Sequence, residues 1–257
     1  MGFPNLKGKH AKDSMINPEE FMSYKKKIKQ YPKYKVPVGV IFCYDKRLMQ
    51  YLIEKHNAKP VDGFNGMHLL SDTNNKIAVM GNFGIGAPVA VVHLEELIAF
   101  GVKNFVSIGM AGTLQKDLKI GDLIVCDKAI RDEGTSHHYI KTGKYAYASK
   151  EQTQKIKLSL KKHNLNFVTG TSWTIDAPYR ETVEEARQYQ KEGVLTVEME
   201  ASALFTVAKF RNVDIGAIFT ISDSLAELKW VPKFHTKKVD KGLEVLYQVA
   251  LDVLLKK

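Results

Sequence analysis

The sequence predicts an α/β fold, a single three-layer domain over residues 1–257 with a mixed, mostly parallel central sheet flanked by helices. Three observations predict it. Segments such as Val36–Phe42 (VPVGVIF) and Asp214–Ser222 (DIGAIFTIS) are nearly continuous apolar runs, the pattern of strands buried on both faces. Between such runs lie stretches with apolar residues at three- and four-residue steps, so strands alternate with helices. A chain of 257 residues, 44% hydrophobic and 26% charged, has enough apolar material for one large core.

Residues 1–16 are expected to be poorly structured. Pro18–Gln30 has helical spacing and ends before Pro32. Val36–Phe42 is a strand, after which Asp45 caps a helix carrying Leu48, Met49, Leu52 and Ile53. His68–Leu70 and Lys76–Met80 form a hairpin across the turn-rich Ser71–Asn75. Gly81–Pro88 (GNFGIGAP) is a glycine-rich turn whose proline suits the first turn of a helix running to about Phe100. Phe105–Ile108 is a strand followed by a second glycine-bearing turn, Gly109–Thr113 (GMAGT). Asp122–Ile130 is a strand leading into the polar loop Arg131–Tyr139, whose His137 and His138 read as surface residues beside a pocket. Lys150–His163 is helical, Asn166–Trp173 a strand, and Arg180–Glu192 helical. Asp214–Ser222 is a strand ending at Asp223, and Val239–Leu255 is the closing helix. No repeat, low-complexity tract or linker interrupts the series.

The stretch Val194–Phe205 (VLTVEMEASALF) holds a strand end and a helix start in twelve residues. Glu198 and Glu200 flank Met199 at the junction. Ligands of α/β sheets bind at the carboxyl ends of strands, and a carboxylate there can accept from two neighbouring sugar hydroxyls. Acids are also favoured at helix starts by the macrodipole, so the pattern alone allows a purely structural role.

Composition narrows the function classes. The formal charge of +10 arises from basic runs scattered over helices and termini, at Lys25–Lys29, Lys161–Lys162, Lys237–Lys238 and Lys256–Lys257. A nucleic-acid binder would gather them with aromatics into one module, so a solvated basic surface is expected instead. No apolar run approaches the roughly 20 residues of a membrane span, and no secretory signal core is visible, which points to the cytoplasm. Cys43 and Cys126 stand far apart in apolar segments and read as buried free thiols. No Cys/His cluster has metal-ligand spacing, so no metal is expected.

Polar or glycine-rich turns thus fall at strand ends throughout the chain: Cys43–Arg47, Gly81–Pro88, Gly109–Thr113, Trp173–Arg180, Glu198–Glu200 and Ser222–Asp223. Neither glycine turn is a P-loop or a dinucleotide fingerprint. From Val36 to Leu225 the chain resembles the nucleoside phosphorylase superfamily, which includes uridine phosphorylase, hexameric purine nucleoside phosphorylase and the methylthioadenosine/adenosylhomocysteine nucleosidases. VEMEASALF is similar to the family's ribose motif, and TISDSL to its SD motif. GNFGIGAP and FVSIGMAGTLQKDLKIGDLIV resemble its two glycine-rich segments.

The resemblance implies roles by position. Glu200 would hold the ribose hydroxyls, with Met199 against the sugar and Glu198 beside them. Asp223 would protonate or hydrogen-bond the leaving purine. Ala111 and Gly112 would border sugar and base, and Arg47 would bind phosphate. The chemistry agrees, because ribosidic C–N cleavage puts positive charge on the sugar and negative charge on the base.

The departures from the family are equally specific. Its GDPxR phosphate loop is here Cys43-Tyr44-Asp45-Lys46-Arg47, and its second arginine and its threonine are Ser107 and Met110. The position of its base-stacking aromatic holds Pro178; Trp173 or Tyr179 either takes over stacking or packs the core, and Arg180 lies nearby as a base contact. The implied activity is phosphorolysis of a nucleoside to free base and ribose 1-phosphate, purines before uridine, with phosphate as co-substrate and no cofactor. Family members complete their sites from a neighbouring subunit, so a homo-oligomer is expected, at least a dimer and up to a hexamer, with Lys59 and the His56 region as donated groups. A hydrolase using water and a non-catalytic nucleoside-binding protein are the alternatives.

Overall fold

The computed structural model describes residues 5–255. In chain order the described elements are α1 (Pro18–Lys27), β1 (Gly39–Cys43), α2 (Lys46–Lys55), β2 (Lys59–Pro60), β3 (Met67–Leu69) and β4 (Ile77–Gly81). Next come α3 (Ala87–Phe100), β5 (Asn104–Thr113), β6 (Leu123–Asp132), α4 (Ser136–Tyr139), β7 (Tyr145–Tyr147), α5 (Lys150–Lys162) and β8 (Val168–Ile175). The chain continues through α6 (Val183–Lys191), β9 (Thr196–Glu198), α7 (Ala201–Phe210), β10 (Asp214–Ser224), β11 (Val231–Pro232) and α8 (Lys237–Leu255).

Helix starts follow local chemistry. Asn17 and Glu20 form a capping box with Pro18 in the first turn of α1, and Thr182 and Glu185 form another at α6. Asp45 caps α2 by accepting the Leu48 N–H at 2.8 Å, as the sequence predicts. The α3 helix ends on Gly101, whose φ of 119° carries the chain out of the helix at a value other residues rarely adopt.

The sheet order is β11-β10-β6-β8-β9-β5-β1-β4-β3-β2, with β7 on β6. The long β10–β5, β6–β8, β1–β4 and β1–β5 pairings are parallel, while β10–β6 and the hairpin β3–β4 are antiparallel. Because β10 pairs with both β5 and β6, and β9 with both β8 and β5, five strands close into a ring from which β1, β4, β3 and β2 extend. The mixed sheet and its flanking helices are those expected, but no sequence signal announces the closure. One face packs on α1, α3 and α7 around Phe42, Phe105 and Phe205; the other packs on α2, α5 and α8 around Ile41, Leu246 and Tyr247. A third cluster, built on Trp173, Ala186 and Val197, lies beside the ring.

Several boundaries differ from expectation, each for a pairing reason. Gly109–Thr113 is not a turn: it stays in β5 because β10 pairs along its whole length and β9 joins at Gly112 and Thr113. Arg131 and Asp132 remain in β6 through pairing with Thr174 and Ile175 of β8. Asp223 does not follow β10 but lies within it, just past a register irregularity after Ile221. Pro178–Arg180 is a 3-10 turn, and the helix expected from Arg180 begins at Val183 after its capping box.

The expectation of little order over residues 1–16 falls partly outside the described residues, as does the Lys256–Lys257 run. Residues 5–16 contain a 3-10 turn at Lys9–Ala11, and Asn5 and His10 dock on the His137 carbonyl at 2.5 and 3.0 Å. Cys43 and Cys126 are free and buried, and among the described residues no helix is long and apolar enough to cross a membrane.

Candidate active site

Parallel pairing brings the carboxyl ends of β1, β4, β5 and β10 to one rim, where β9 arrives from the opposite direction. A cavity of about 680 Å³ opens there, within the size range of small-molecule sites. Its lining includes Tyr44, Asp45, Ile85, Met110, Ala111, Gly112, Val197, Met199, Glu200 and Asp223. Pro178, Tyr179, Glu181, Val183, Leu225, Leu228 and Trp230 line it as well.

Glu200 stands at the N-cap of α7 with its side chain buried, and its Oε1 accepts the N–H of Gly86 from the glycine-rich turn. Burial, and next the charge of Glu198, push its pKa up to about 8. Tyr44 is half-buried, and its phenol is pushed well above the usual range by desolvation and then by the Glu200 charge. The Tyr44 hydroxyl accepts from Ser107 at 3.4 Å.

Glu198 lines the same cavity, yet its oxygens are engaged by the protein. Oε1 accepts from Thr174 at 2.5 Å and Ser172 at 3.3 Å, and Oε2 accepts the N–H groups of Glu200 and Ala201 at 2.8 and 2.7 Å. It thereby caps the start of α7 and fixes the backbone that presents Glu200. The expected sugar contact is replaced by a positioning role, because hydrogen bonds within the protein fill the carboxylate's acceptor sites.

Asp223 is held at both oxygens: Ser222 Oγ donates to Oδ1 at 2.7 Å and Trp230 Nε1 donates to Oδ2 at 3.0 Å. Burial raises its pKa, and these two donors oppose the rise. Gly112 is required beside it. A Cβ there would stand 2.8 Å from Leu225 Cδ1, 2.9 Å from Asp223 Oδ2 and 3.2 Å from Val197 Cγ1.

Three expected contacts lie elsewhere. Trp173 is fully buried and donates its indole N–H to Asp132 at 2.8 Å, so it packs the core and cannot stack on a ligand. Arg180 is exposed and absent from the cavity wall, because the 3-10 turn points it to solvent. Arg47 is also outside the wall: it pairs with Asp240 at 3.0 Å and donates to the Phe234 carbonyl at 3.2 Å, clamping α2 to the segment before α8. His137 and His138 do not flank this cavity; His137 faces the Arg131 carbonyl and His138 faces Lys9. His56 is buried between Asp72 at 2.5 Å and Tyr247 at 2.7 Å, so it is not available for donation to a neighbour, while Lys59 is exposed on β2. Tyr179 lines the cavity mouth at 99% exposure, where only a ligand or another surface could cover it.

Four contributors escape sequence reading: the Gly86 N–H, Tyr44, Glu181 and Trp230. Tyr44 occupies a strand-end turn that the sequence flags and Glu181 falls in the stretch expected to be helical, but nothing in their spacing distinguishes them. Trp230 reaches the site only because β11 folds back antiparallel on Asp223 and Ser224. Among the described residues no group of His, Cys, Asp and Glu could hold a metal ion.

Strand ends forming a cavity, a buried carboxylate pair beside it and a raised acid across from them define an α/β enzyme acting on a small polar molecule. The chain belongs to the phosphorylase superfamily, whose profile matches residues 31–254. Its relatives include a DeoD-type purine nucleoside phosphorylase of Aliivibrio fischeri, 29% identical over 81% of this chain and 84% of the relative. Another of that type, from Caldanaerobacter subterraneus, is 32% identical over 63% and 69%. A guanosine phosphorylase of Halorubrum lacusprofundi is 31% identical over 55% and 59%. Among solved structures, uridine phosphorylase from Vibrio fischeri ES114 superposes with a TM-score of 0.73 at 26% identity, covering 87% of this chain and 93% of that one.

Proposed function

We propose that this protein is a nucleoside phosphorylase, a pentosyltransferase that cleaves the ribosidic C–N bond with phosphate to give free base and ribose 1-phosphate. Purine nucleosides are its preferred substrates over uridine. The observation that carries this reading is the placement of Glu200 and Asp223 in one cavity, each buried and each held by a donor from another segment. In the reaction Glu200 accepts from the ribose hydroxyls while Met199 lies against the sugar. Ala111 and Gly112 let the base approach the strand, and Asp223 gives its proton to the departing base.

The electrostatics support that division of work. Among the described residues Asp45, Glu181, Glu198, Glu200 and Asp223 line the cavity, against one lining cation, Lys229. The carboxylates among them that are ionised favour the positive charge that develops on the sugar. The reaction needs phosphate as co-substrate and no cofactor. The protein acts in the cytoplasm as one domain spanning the chain, in a homo-oligomer of at least two copies whose neighbours supply further phosphate-binding cations. Light scattering should show an active dimer or larger assembly at micromolar concentration; an active monomer would exclude the shared site.

The scarcity of cations also favours a second reading, hydrolysis by water with the same sugar and base contacts. Base release from inosine, adenosine and uridine, assayed with and without phosphate, separates the two. Uridine cleaved with a kcat/KM more than about tenfold above both purine nucleosides, a transition-state preference of ~1.4 kcal/mol, would overturn the purine assignment.

A further inference from the structure

Glu200 occupies the N-cap position of α7, yet among the described residues its side chain makes no capping bond. An N-cap carboxylate ordinarily accepts the N–H of the second or third helical residue. Here its Oε1 turns instead to the Gly86 N–H, and the helix start is served from neighbouring strands. Glu198 takes the N–H groups of Glu200 and Ala201, and Thr174 Oγ1 takes that of Ser202, the second residue of α7, at 3.0 Å. The Thr174 hydroxyl is used twice, because its proton goes to Glu198 Oε1 at 2.5 Å. A hydroxyl can do both from one atom, and a methyl group can do neither. The register places it there, since Thr174 of β8 stands opposite Glu198 of β9 in a parallel pair. Ser202 Oγ in turn donates to buried Glu133 at 2.9 Å, and Glu133 also accepts the Ser136 N–H. The first turn of α7 is thus held by β8, β9 and the loop after β6.

We propose that Thr174 is a positioning residue for Glu200: by capping α7 in its place, together with Glu198, it leaves the Glu200 carboxylate open to the ribose hydroxyls. Thr174 is fully buried, so it acts on a ligand only through the groups it holds. The inference rests on the reading of Glu200 as the sugar ligand. It has an electrostatic consequence as well. Burial raises the pKa of Glu198, and the Thr174 bond is the largest effect opposing that rise. The charge on Glu198 is in turn what, after burial, raises the pKa of Glu200. Loss of the hydroxyl therefore moves the shared proton toward Glu198 and lets Glu200 ionise at lower pH. The other groups acting on this pair are Asp176 beyond β8, Cys126 on β6 and the Tyr44 phenol after β1, with Asp45, Asp223 and Lys229 in the cavity wall and Glu133 behind Ser202. These are common to the wild-type protein and the variants.

The test compares Thr174→Val, which keeps the shape and loses the hydroxyl, with Thr174→Ser, which keeps the hydroxyl. Ionisation of Glu200 is followed in the ligand-free protein as the difference in thermal stability between each background and its Glu200→Gln partner, from about pH 5 to pH 9.5. In Thr174→Val the midpoint should fall by about one pH unit or more, and in Thr174→Ser it should stay within about 0.3 unit of wild type. The limiting KM for nucleoside above that midpoint should rise about threefold or more in Thr174→Val and return in Thr174→Ser, while the KM for phosphate stays within about twofold. An unmoved midpoint in Thr174→Val would overturn the proposal however much stability is lost, because a residue that only packs the core lowers the melting temperature without moving the titration. If Thr174→Val does not fold, Thr174→Cys, a weaker donor and acceptor, takes its place; it should move the midpoint in the same direction by less, and no movement overturns the proposal. If the wild-type protein neither binds nor cleaves a nucleoside but the midpoint still falls, the sugar reading fails and the hold of Thr174 on Glu200 stands.

Discussion

Trp230 Nε1 donates to Asp223 Oδ2 at 3.0 Å, which ties the chain beyond β10 to an acid of the cavity wall. The bond favours the ionised form of Asp223 and so works against the desolvation that raises its pKa. Trp230→Phe removes the donor and keeps an aromatic ring. The Asp223 pKa should then rise further, and the alkaline limb of the kcat/KM profile, where the acid loses its proton, should move to higher pH. Asp223→Asn should remove that limb and lower kcat by about 10²–10⁴ with little change in KM. An unchanged profile in Trp230→Phe would mean that the indole only packs the loop.

Glu200 makes a separate pH prediction. Its pKa of about 8 lies above the ordinary carboxylate range, so the folded protein holds a proton there that the unfolded chain has already released. The resulting stability is complete below the ordinary carboxylate pKa and is lost as pH rises through about 8. Ribose hydroxyls donate best to the ionised form, so nucleoside binding should tighten over the same interval in which the ligand-free protein loses thermal stability. Glu200→Gln should flatten both trends, raise KM and lower kcat, since each charge-assisted hydrogen bond contributes roughly 1.5–3 kcal/mol. Calorimetric titration and thermal melts between about pH 6.5 and pH 9 check the opposed slopes.

Gly112 tests whether the close approach of β5 and β10 serves the site. Leu225 can rotate away from an added methyl group, but Asp223 is pinned at both oxygens and has no free direction. Gly112→Ala should therefore cost about 1–3 kcal/mol of stability and depress kcat by more than that loss explains, because the acid shifts. If the variant melts earlier but retains wild-type kcat, Asp223 has moved without consequence and its role is structural.

Much of this arrangement was legible in the residues. The continuous apolar runs located the long strands, and Asp45 and Pro88 marked helix starts that the fold uses. The VEMEASALF and SD segments pointed to Glu200 and Asp223, which the fold brings to one cavity. Pairing across the sheet was not legible. It keeps GMAGT extended, closes five strands into a ring and folds β11 onto Asp223. Nor could composition tell a tethered side chain from an open one. Arg47 reads as a phosphate ligand until its bonds to Asp240 and the Phe234 carbonyl are known, and Trp173 reads as a stacking platform until its burial is.

The nucleophile provides the last prediction. Among the described residues Lys229 is the one cation lining the cavity, and Arg47, half-exposed, is occupied by Asp240 and the segment leading into α8. If phosphate attacks the sugar, this subunit contributes little of its binding charge. Arg47→Ala should then change the KM for phosphate by less than about tenfold, an effect no larger than that of an exposed ion pair. Lys229→Ala should raise it more, because Lys229 removes no other partner when it is lost. The product distinguishes the two acceptors directly: phosphorolysis yields ribose 1-phosphate with a saturable dependence on phosphate, and hydrolysis yields free ribose at a rate that ignores it. If a neighbouring subunit supplies the remaining cations, dilution to monomers should abolish the phosphate-dependent reaction first. Undiminished base release without phosphate would refute phosphorolysis while leaving Glu200 at the sugar and Asp223 at the base.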